Sequence, residues 1–202
     1  MKESLYVWFD TEYSDLELET AALLQIAAIA TDASLRRVLP REHDVSLAIR
    51  LPRGTAVSAW VEQHLPDLLK ACRSSAAVEV SEADNLLFAY VDAAQDALKS
   101  PKDDRPTIAG NSVHVDWWLA RRFLPRFLSR LDYRQLDVTA FKLEWKRLHQ
   151  DSEFQKGNRE MIRAYFPEAD VVMGERHDAH YDVEASIAEM GFYRKHLLRQ
   201  SL

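Results

Sequence analysis

Two carboxylates, Asp10 and Glu12, follow directly on an apolar run in the stretch VWFDTEY. In an extended chain, residues i and i+2 point to the same face, with Cα atoms roughly 6.6 Å apart at about 3.3 Å of rise per residue. Two negative charges held that close repel each other, and poor solvation makes the repulsion worse. The spacing therefore indicates either a binding site for cations or a solvated turn at the end of a strand.

Two further acids stand at predicted helix starts. Asp116 follows GNSVHV, and Asp182 lies in HDAHYDVEASIAE. Each of them alone could simply favour the helix dipole. Together with Asp10 and Glu12, however, they supply the oxygen ligands that a two-magnesium site requires. Two such ions about 3.5–4 Å apart can stabilise the attacking and leaving oxygens of a phosphodiester displacement.

Two histidines, His177 and His180, precede the last of these acids. Imidazole gains and loses a proton near neutral pH, which suits a general base. The residue types alone leave both histidines as candidates.

The composition limits the class of protein. The 202 residues, 47% hydrophobic and 29% charged, predict one soluble α/β domain over residues 1–202. Cys72 is the single cysteine, and no apolar run approaches the roughly 18 residues of a membrane span, so we expect a cytoplasmic protein without membrane contact. The net charge of −6 argues against tracking of long nucleic acid and favours a small substrate whose phosphates meet bound cations.

The predicted elements alternate after an initial run of strands, which favours a mixed sheet with helices on both faces. Predicted strands cover residues 5–9, 21–31, 45–51, 107–110 and 136–138. Predicted helices cover residues 57–71, 81–98 (with Ser81 as the capping residue), 115–131, 139–149 and 181–198.

The order D-x-E, then G-N-S-x-x-x-D, then H-x-x-x-x-D resembles the DEDDh 3′→5′ exonucleases of the ribonuclease-H-like superfamily, and most closely the oligoribonucleases. Five collinear segments carry the resemblance: WFDTE, LLQIAAIATDASL, AGNSVHVDWWLARRFLP, DYRQLDVT and HDAHYDVEASIAEMGFYR. It implies an α/β fold, a ribonuclease-H-like mixed central sheet flanked by helices on both faces. It also implies two Mg²⁺ or Mn²⁺ ions per site, held by Asp10, Glu12, Asp116 and Asp182. The family spacing selects His177, five residues before the last acid, as the general base, with His180 as a neighbour.

The resemblance also implies substrate contacts. Leu16 and Trp60 would wedge the 3′ base, with His64 nearby, and Ser112, Arg134 and Thr139 would cap the 5′ phosphate. Two plainer alternatives are that Trp60 belongs to the core and that Arg134 is one more charge on an arginine-rich helix face. Three departures from the family pattern concern the substrate: the Ser-Gly after His64 is missing, Gln25 replaces a glutamate, and the segment between Asp137 and His177 is longer than typical.

A homodimer is the predicted assembly. The predicted helix 115–131 carries many large apolar residues on more than one face, which suggests a partner surface. They are Trp117, Trp118, Phe123 and Phe127. By resemblance, Tyr133 would reach across to the substrate of the neighbouring subunit.

These observations predict a metal-dependent 3′→5′ exonuclease that degrades very short single-stranded oligonucleotides, dinucleotides above all, to nucleoside 5′-monophosphates. One alternative is a proofreading-type exonuclease acting on longer single-stranded DNA, which would need more basic surface. Another is a catalytically silent nucleotide-binding module, which would have no need of mutually repelling acids.

Overall fold

The structure, a computed structural model, describes residues 5–149, 153–170 and 177–198. Its central sheet contains strands β1 (Tyr6–Tyr13), β2 (Leu23–Thr31), β3 (Val45–Ala48), β4 (Thr107–Gly110) and β5 (Gln135–Asp137) in the order β3-β2-β1-β4-β5. β2 is antiparallel to both β1 and β3, whereas β4 runs parallel to β1 and β5 parallel to β4. This mixed sheet confirms the predicted architecture.

Helices cover both faces of the sheet. In chain order they are α1 (Ala59–His64), α2 (Pro66–Cys72), α3 (Val80–Ala97), α4 (His114–Phe123), α5 (Pro125–Ser129), α6 (Val138–Leu148), α7 (Arg159–Tyr165) and α8 (Ala179–Tyr193). Alternation along β1 separates two cores: Val7 and Phe9 pack with α3, α4 and α5, whereas Trp8 packs with α6, α7 and α8. No helix among the described residues is long and apolar enough to cross a membrane.

Two of the predicted helices are broken in the structure. The helix predicted over 57–71 is divided where Pro66 begins α2, and the one predicted over 115–131 is divided where Pro125 begins α5. A proline lacks the N–H that continues a helix, but its fixed φ suits the first helical position, so each proline ends one helix and starts another.

Other predicted boundaries need smaller corrections. The prediction of Ser81 as a helix cap was wrong, because α3 begins at Val80 after Glu79 and has no side-chain capping bond. The last helix begins at Ala179, where the Asp178 side chain accepts the N–H of Tyr181, and continues after Tyr193 as a π-helical turn, Arg194–Leu198. Helix α7 was not predicted and lies in the long segment before His177.

Candidate active site

The carboxyl ends of β1 and β4 lie side by side and form the floor of the site. Parallel pairing sets Trp8 opposite Ala109, and β4 ends two residues before Ser112. A Cβ on Gly110 would lie only 2.8 Å from the carbonyl oxygen of Phe9, so glycine is what allows the two strands to approach here. Open α/β sheets bind their ligands at this edge.

The residue between the first two acids holds the third. Asp116 is buried in the first turn of α4, and its Oδ1 accepts bonds from the N–H of Thr11 at 2.9 Å and from the hydroxyl of Thr11 at 2.6 Å. Because side chains alternate along β1, Thr11 faces α4 while Asp10 and Glu12 face α8. The triplet Asp10-Thr11-Glu12 therefore brings acids from both faces of the sheet to one edge.

The fourth acid is joined to the candidate base. Oδ2 of Asp182, in the first turn of α8, accepts the backbone N–H of His177 at 3.0 Å. His177 has a left-handed backbone, with φ of 71°, and its exposed ring lies edge-on to Trp60 at a centroid distance of 5.1 Å. Each of Glu12, His177 and Asp182 offers one potential ligand atom, and these atoms lie within 4.8 Å of one another.

One cavity of about 570 Å³ collects these groups. Its lining includes the four predicted metal ligands, the predicted base, three predicted substrate contacts and one lysine: Asp10, Glu12, Asp116, Asp182, His177, Leu16, Trp60, Ser112 and Lys156.

The pocket is strongly electronegative. Burial, followed by the charges of Asp116, Asp182 and Glu12, raises the pKa of Asp10 well above its usual value, and Lys156 opposes the shift. Burial, followed by the charges of Asp182, Asp116 and Asp178, raises the pKa of Glu12 to about 8. Burial raises the pKa of Asp116 to about 7 against the hydrogen bonds from Thr11. Oxygen donors that repel one another in this way fit hard divalent cations such as Mg²⁺ or Mn²⁺, whose charge removes the repulsion.

The two histidines lie on opposite sides of α8. Whereas His177 lies at the pocket, His180 lies away from it and its Nε2 is 2.9 Å from Oδ2 of Asp44. The geometry thus agrees with the choice of His177 made from the family spacing.

The predicted substrate contacts divide into two groups. Leu16 and Trp60 line the pocket and are 86% and 46% exposed, so Trp60 is not a core residue. His64 and Thr139 do not line the pocket themselves but contact residues that do: His64 stacks on Trp60 with ring centroids 4.5 Å apart, and the Thr139 hydroxyl accepts the N–H of Ser112 at 2.8 Å.

The second group, Tyr133 and Arg134, does not line the pocket. Tyr133 is 72% exposed, and the guanidinium of Arg134 lies over its ring and 3.3 Å from Oδ1 of Asp132. Within one chain, therefore, the structure does not bring these two residues to the acids.

Sequence reasoning missed Thr11 and Lys156, and it noted Gln25 only as a departure from the family pattern, without predicting its contacts. The Gln25 amide donates to Oδ2 of Asp178 at 3.3 Å and accepts the N–H of Ala179 at 3.1 Å, so it holds the start of α8 from both sides. A glutamate could not donate to Asp178 and would add another negative charge opposite Glu12. The signal that could have revealed this contact is Asp178 itself, a good capping residue just before an apolar helix.

Comparisons with known proteins agree with this architecture. No family model matches the chain. A probable oligoribonuclease of Schizosaccharomyces pombe is 32% identical over 194 residues, covering 95% of this chain and 68% of that protein. An oligoribonuclease of Coxiella burnetii is 32% identical over 203 residues, covering 96% of this chain and 95% of that protein.

Solved structures share the fold at low sequence identity. Exonuclease I from Methylocaldum szegediense superposes with a TM-score of 0.66 at 17% identity, and the match covers 97% of this chain but only 41% of that one. S. pombe Pop2p, in its Mg²⁺- and Mn²⁺-bound form, superposes with a TM-score of 0.57 at 11% identity, covering 98% of this chain and 85% of that one.

The fold and the acidic pocket define a 3′→5′ exonuclease of the DEDDh, ribonuclease-H-like class. More closely, the full-length similarity at 32% identity shows that the chain belongs to the oligoribonuclease family.

Proposed function

We propose that this exonuclease depends on divalent metal ions and degrades very short oligonucleotides, with dinucleotides preferred, to nucleoside 5′-monophosphates. The observation that carries the proposal is the convergence of four acids, His177 and an exposed leucine–tryptophan pair on one pocket. The net charge of −6 supports a small substrate, because little basic surface is left for a long polyanion.

Asp10, Glu12, Asp116 and Asp182 would hold two Mg²⁺ or Mn²⁺ ions. Once bound, such ions supply positive charge to the phosphate and to the attacking and leaving oxygens. The chain's own part is to fix the ligands: Thr11 orients Asp116 through two hydrogen bonds, and Asp182 is tied to the loop of the base through the His177 N–H.

His177 would take a proton from the water that attacks phosphorus at the 3′-terminal phosphodiester. As the new P–O bond forms, the bond from phosphorus to the 3′ oxygen of the preceding nucleotide breaks, and that oxygen regains a proton. The products are a nucleoside 5′-monophosphate and, from a 5′-phosphorylated dinucleotide, a second nucleoside 5′-monophosphate. His177 is exposed at the pocket and therefore accessible to water, whereas the His180 ring is engaged by Asp44.

Leu16 and Trp60 would clamp the 3′ base, since an indole ring stacks on any base. His64 would support the indole from behind through the stacking already described. Ser112 and Thr139 would cap the 5′ phosphate. A cap that closes on this phosphate would limit the length of the substrate.

A homodimer would bring Tyr133 and Arg134 to the substrate of the partner. The predicted helix 115–131 offers little partner surface, because Phe127 is fully buried, Trp117 and Phe123 pack against the same core, and of the four large residues only Trp118 is exposed, at 38%. Tyr133 supports the dimer more directly. Its ring is 72% exposed and lies away from the pocket of its own chain, so it could enter the pocket of a partner.

Subunit mixing tests the dimer. Tyr133→Ala and Asp10→Asn, each expected to be nearly inactive alone, should regain part of the activity when their subunits exchange, because one mixed site then carries both intact groups. A monomeric protein in solution, or no recovery after proven exchange, would exclude the shared site. The cytoplasmic location of the protein also stays a prediction.

The function itself is tested with 5′-labelled RNA and DNA of two to ten nucleotides in Mg²⁺ and in Mn²⁺. We expect the dinucleotide to disappear fastest. Faster trimming of long DNA would favour the proofreading-type enzyme, and no cleavage of any substrate would favour the silent module.

A further inference from the structure

A single lysine enters the acidic pocket. Lys156 is the one lysine or arginine among the described residues that line it, and it comes from the long segment between Asp137 and His177. Its charge acts on one of the predicted metal ligands, since it opposes the upward shift in the pKa of Asp10.

The backbone around Lys156 is fixed at several points. The Tyr181 hydroxyl donates to the carbonyl of Lys156 at 2.7 Å, and the N–H of Asn158 closes a turn on the carbonyl of Gln155 at 2.9 Å. Phe154, two residues earlier, is 2% exposed in the core. The lysine is therefore held at the pocket by its main chain, and its side chain is 20% exposed.

Among the described residues, the Lys156 ammonium has only weak partners. Its Nζ lies 3.4 Å from the hydroxyl of Ser186 and 4.0 Å from Oε2 of buried Glu189. The Glu189 carboxylate already accepts hydrogen bonds from the Asn111 amide at 3.1 Å and from the Tyr193 hydroxyl at 2.8 Å. The described contacts thus leave the ammonium with hydrogen-bonding capacity toward the pocket.

A second lysine provides the matched comparison. Lys142 Nζ, on α6, lies 3.8 Å from Oε1 of Glu189, about as near as Lys156 lies to the other oxygen, but Lys142 does not line the pocket. If Lys156 served only to neutralise Glu189, the two lysines would be equivalent. Their different access to the pocket gives Lys156 a separate role.

We propose that Lys156 is a substrate-binding residue whose ammonium contacts a non-bridging oxygen of the scissile phosphate. The inference rests on the proposed function and adds a protein cation to the charge that metal ions would supply. Lysine suits this position because its compact charge sits on a flexible stem with three donors, which can leave Glu189 and follow an incoming phosphate.

The test compares Lys156→Met with Lys142→Met, both in a His177→Ala background that slows cleavage. Calorimetric titration in Mg²⁺ measures binding of a 5′-phosphorylated dinucleotide and of its methylphosphonate analogue, which lacks the charged oxygen at the linkage. Lys156→Met should weaken binding of the phosphodiester roughly 10- to 100-fold, the loss expected for one charge-assisted hydrogen bond. It should change binding of the methylphosphonate by less than about twofold, and Lys142→Met should leave both affinities within about twofold.

Equal losses in the two lysine variants, or the same loss with both dinucleotides, would overturn the proposal. A melting curve checks that Lys156→Met is folded, and Lys156→Gln replaces it in the same comparison if it is not. Lys156→Arg, which keeps the charge, should retain most of the affinity for the phosphodiester. Failure of the proposed function gives a different result: the enzyme with its native His177 and lysines would cleave no oligonucleotide. In that case the inference about Lys156 would fail together with the proposed function.

Discussion

Helix α8 separates two groups of acidic and histidine side chains that differ in how their charge is balanced. On the pocket side are Glu12, His177 and Asp182, and on the opposite side are Asp44, His180 and Glu184. In each group the potential ligand atoms lie within 4.8 Å of one another, so ligand geometry alone does not distinguish them.

The group behind α8 contains its own cation. The Arg37 guanidinium contacts Asp44 and lies 2.5 Å from Oε1 of Glu184, with its side chain 5% exposed and that of Glu184 fully buried. Burial raises the pKa of the Glu184 carboxyl, but the Asp170 amide, His180 and Arg37 all oppose the shift. A guanidinium in this position takes the place that a metal ion would need.

No arginine is found among the described residues that line the pocket. There the neighbouring acids add to the effect of burial instead of opposing it, and Lys156 is the one described cation that works against the shift for Asp10. A cluster of acids and a histidine therefore points to metal binding only when the protein does not already neutralise the charge of the cluster.

The largest contrast is expected between two acids on the same helix. Asp182→Asn should lower the cleavage rate by about 10³-fold or more, because it removes a ligand charge from the proposed metal site while leaving the packing unchanged. Glu184→Gln should leave the cleavage rate of the folded enzyme within a few-fold. Initial rates on a labelled dinucleotide measure both, and near-normal turnover by Asp182→Asn would remove the basis for the metal assignment.

The two histidines should differ in the same direction. His177→Ala should lose roughly 10²- to 10⁴-fold in rate, the usual contribution of a general base. His180→Ala should lose little, because its ring bonds to Asp44 away from the pocket. The reverse ranking in rate measurements at saturating substrate would transfer the role of base to His180.

Arg37→Met should act on stability, not on chemistry. Removing the guanidinium leaves the carboxylates of Asp44 and Glu184 buried without their cation, so the free energy of unfolding should fall by about 3–5 kcal/mol. The control is Arg36→Met, whose side chain is 74% exposed in its pair with Asp32 and which should cost less than about 1 kcal/mol. Urea denaturation measures both, and equal effects would mean that the cluster behind α8 is not held by Arg37.

The smallest effect concerns pH. Because the folded-state pKa values of Glu12, about 8, and Asp116, about 7, lie above their ordinary values, the folded protein retains protons that the unfolded chain has lost. The stability of the metal-free protein should therefore fall as pH rises from about 5 to about 8.5, lowering the Tm by several degrees. Mg²⁺ should restore more of the Tm at the higher pH, where its ligands are charged. Glu12→Gln should flatten the pH dependence, and an unchanged slope in that variant would place the titrating groups elsewhere.

Much of the fold could be predicted from the sequence because its signals are local. Short apolar runs located the strands, and strand β4 matches its prediction over 107–110. Pro66 and Pro125 were equally readable, and the breaks they cause were missed because apolar periodicity continues across them. Helix α7 was missed because the long segment before His177 has no counterpart in the family pattern.

The sequence by itself determined the candidate residues for the chemistry: the four acids stand at predicted strand and helix ends, and the resemblance to the family assigned them as ligands and selected His177 over His180. Tertiary structure alone decided what surrounds them. The closure of the chain brings Thr11 to Asp116 across 105 residues and Arg37 to Glu184 across 147. No local pattern records such contacts, because the charge near a carboxylate depends on whichever group the fold places beside it: a guanidinium behind α8, and in the pocket further acids that Lys156 opposes only in part.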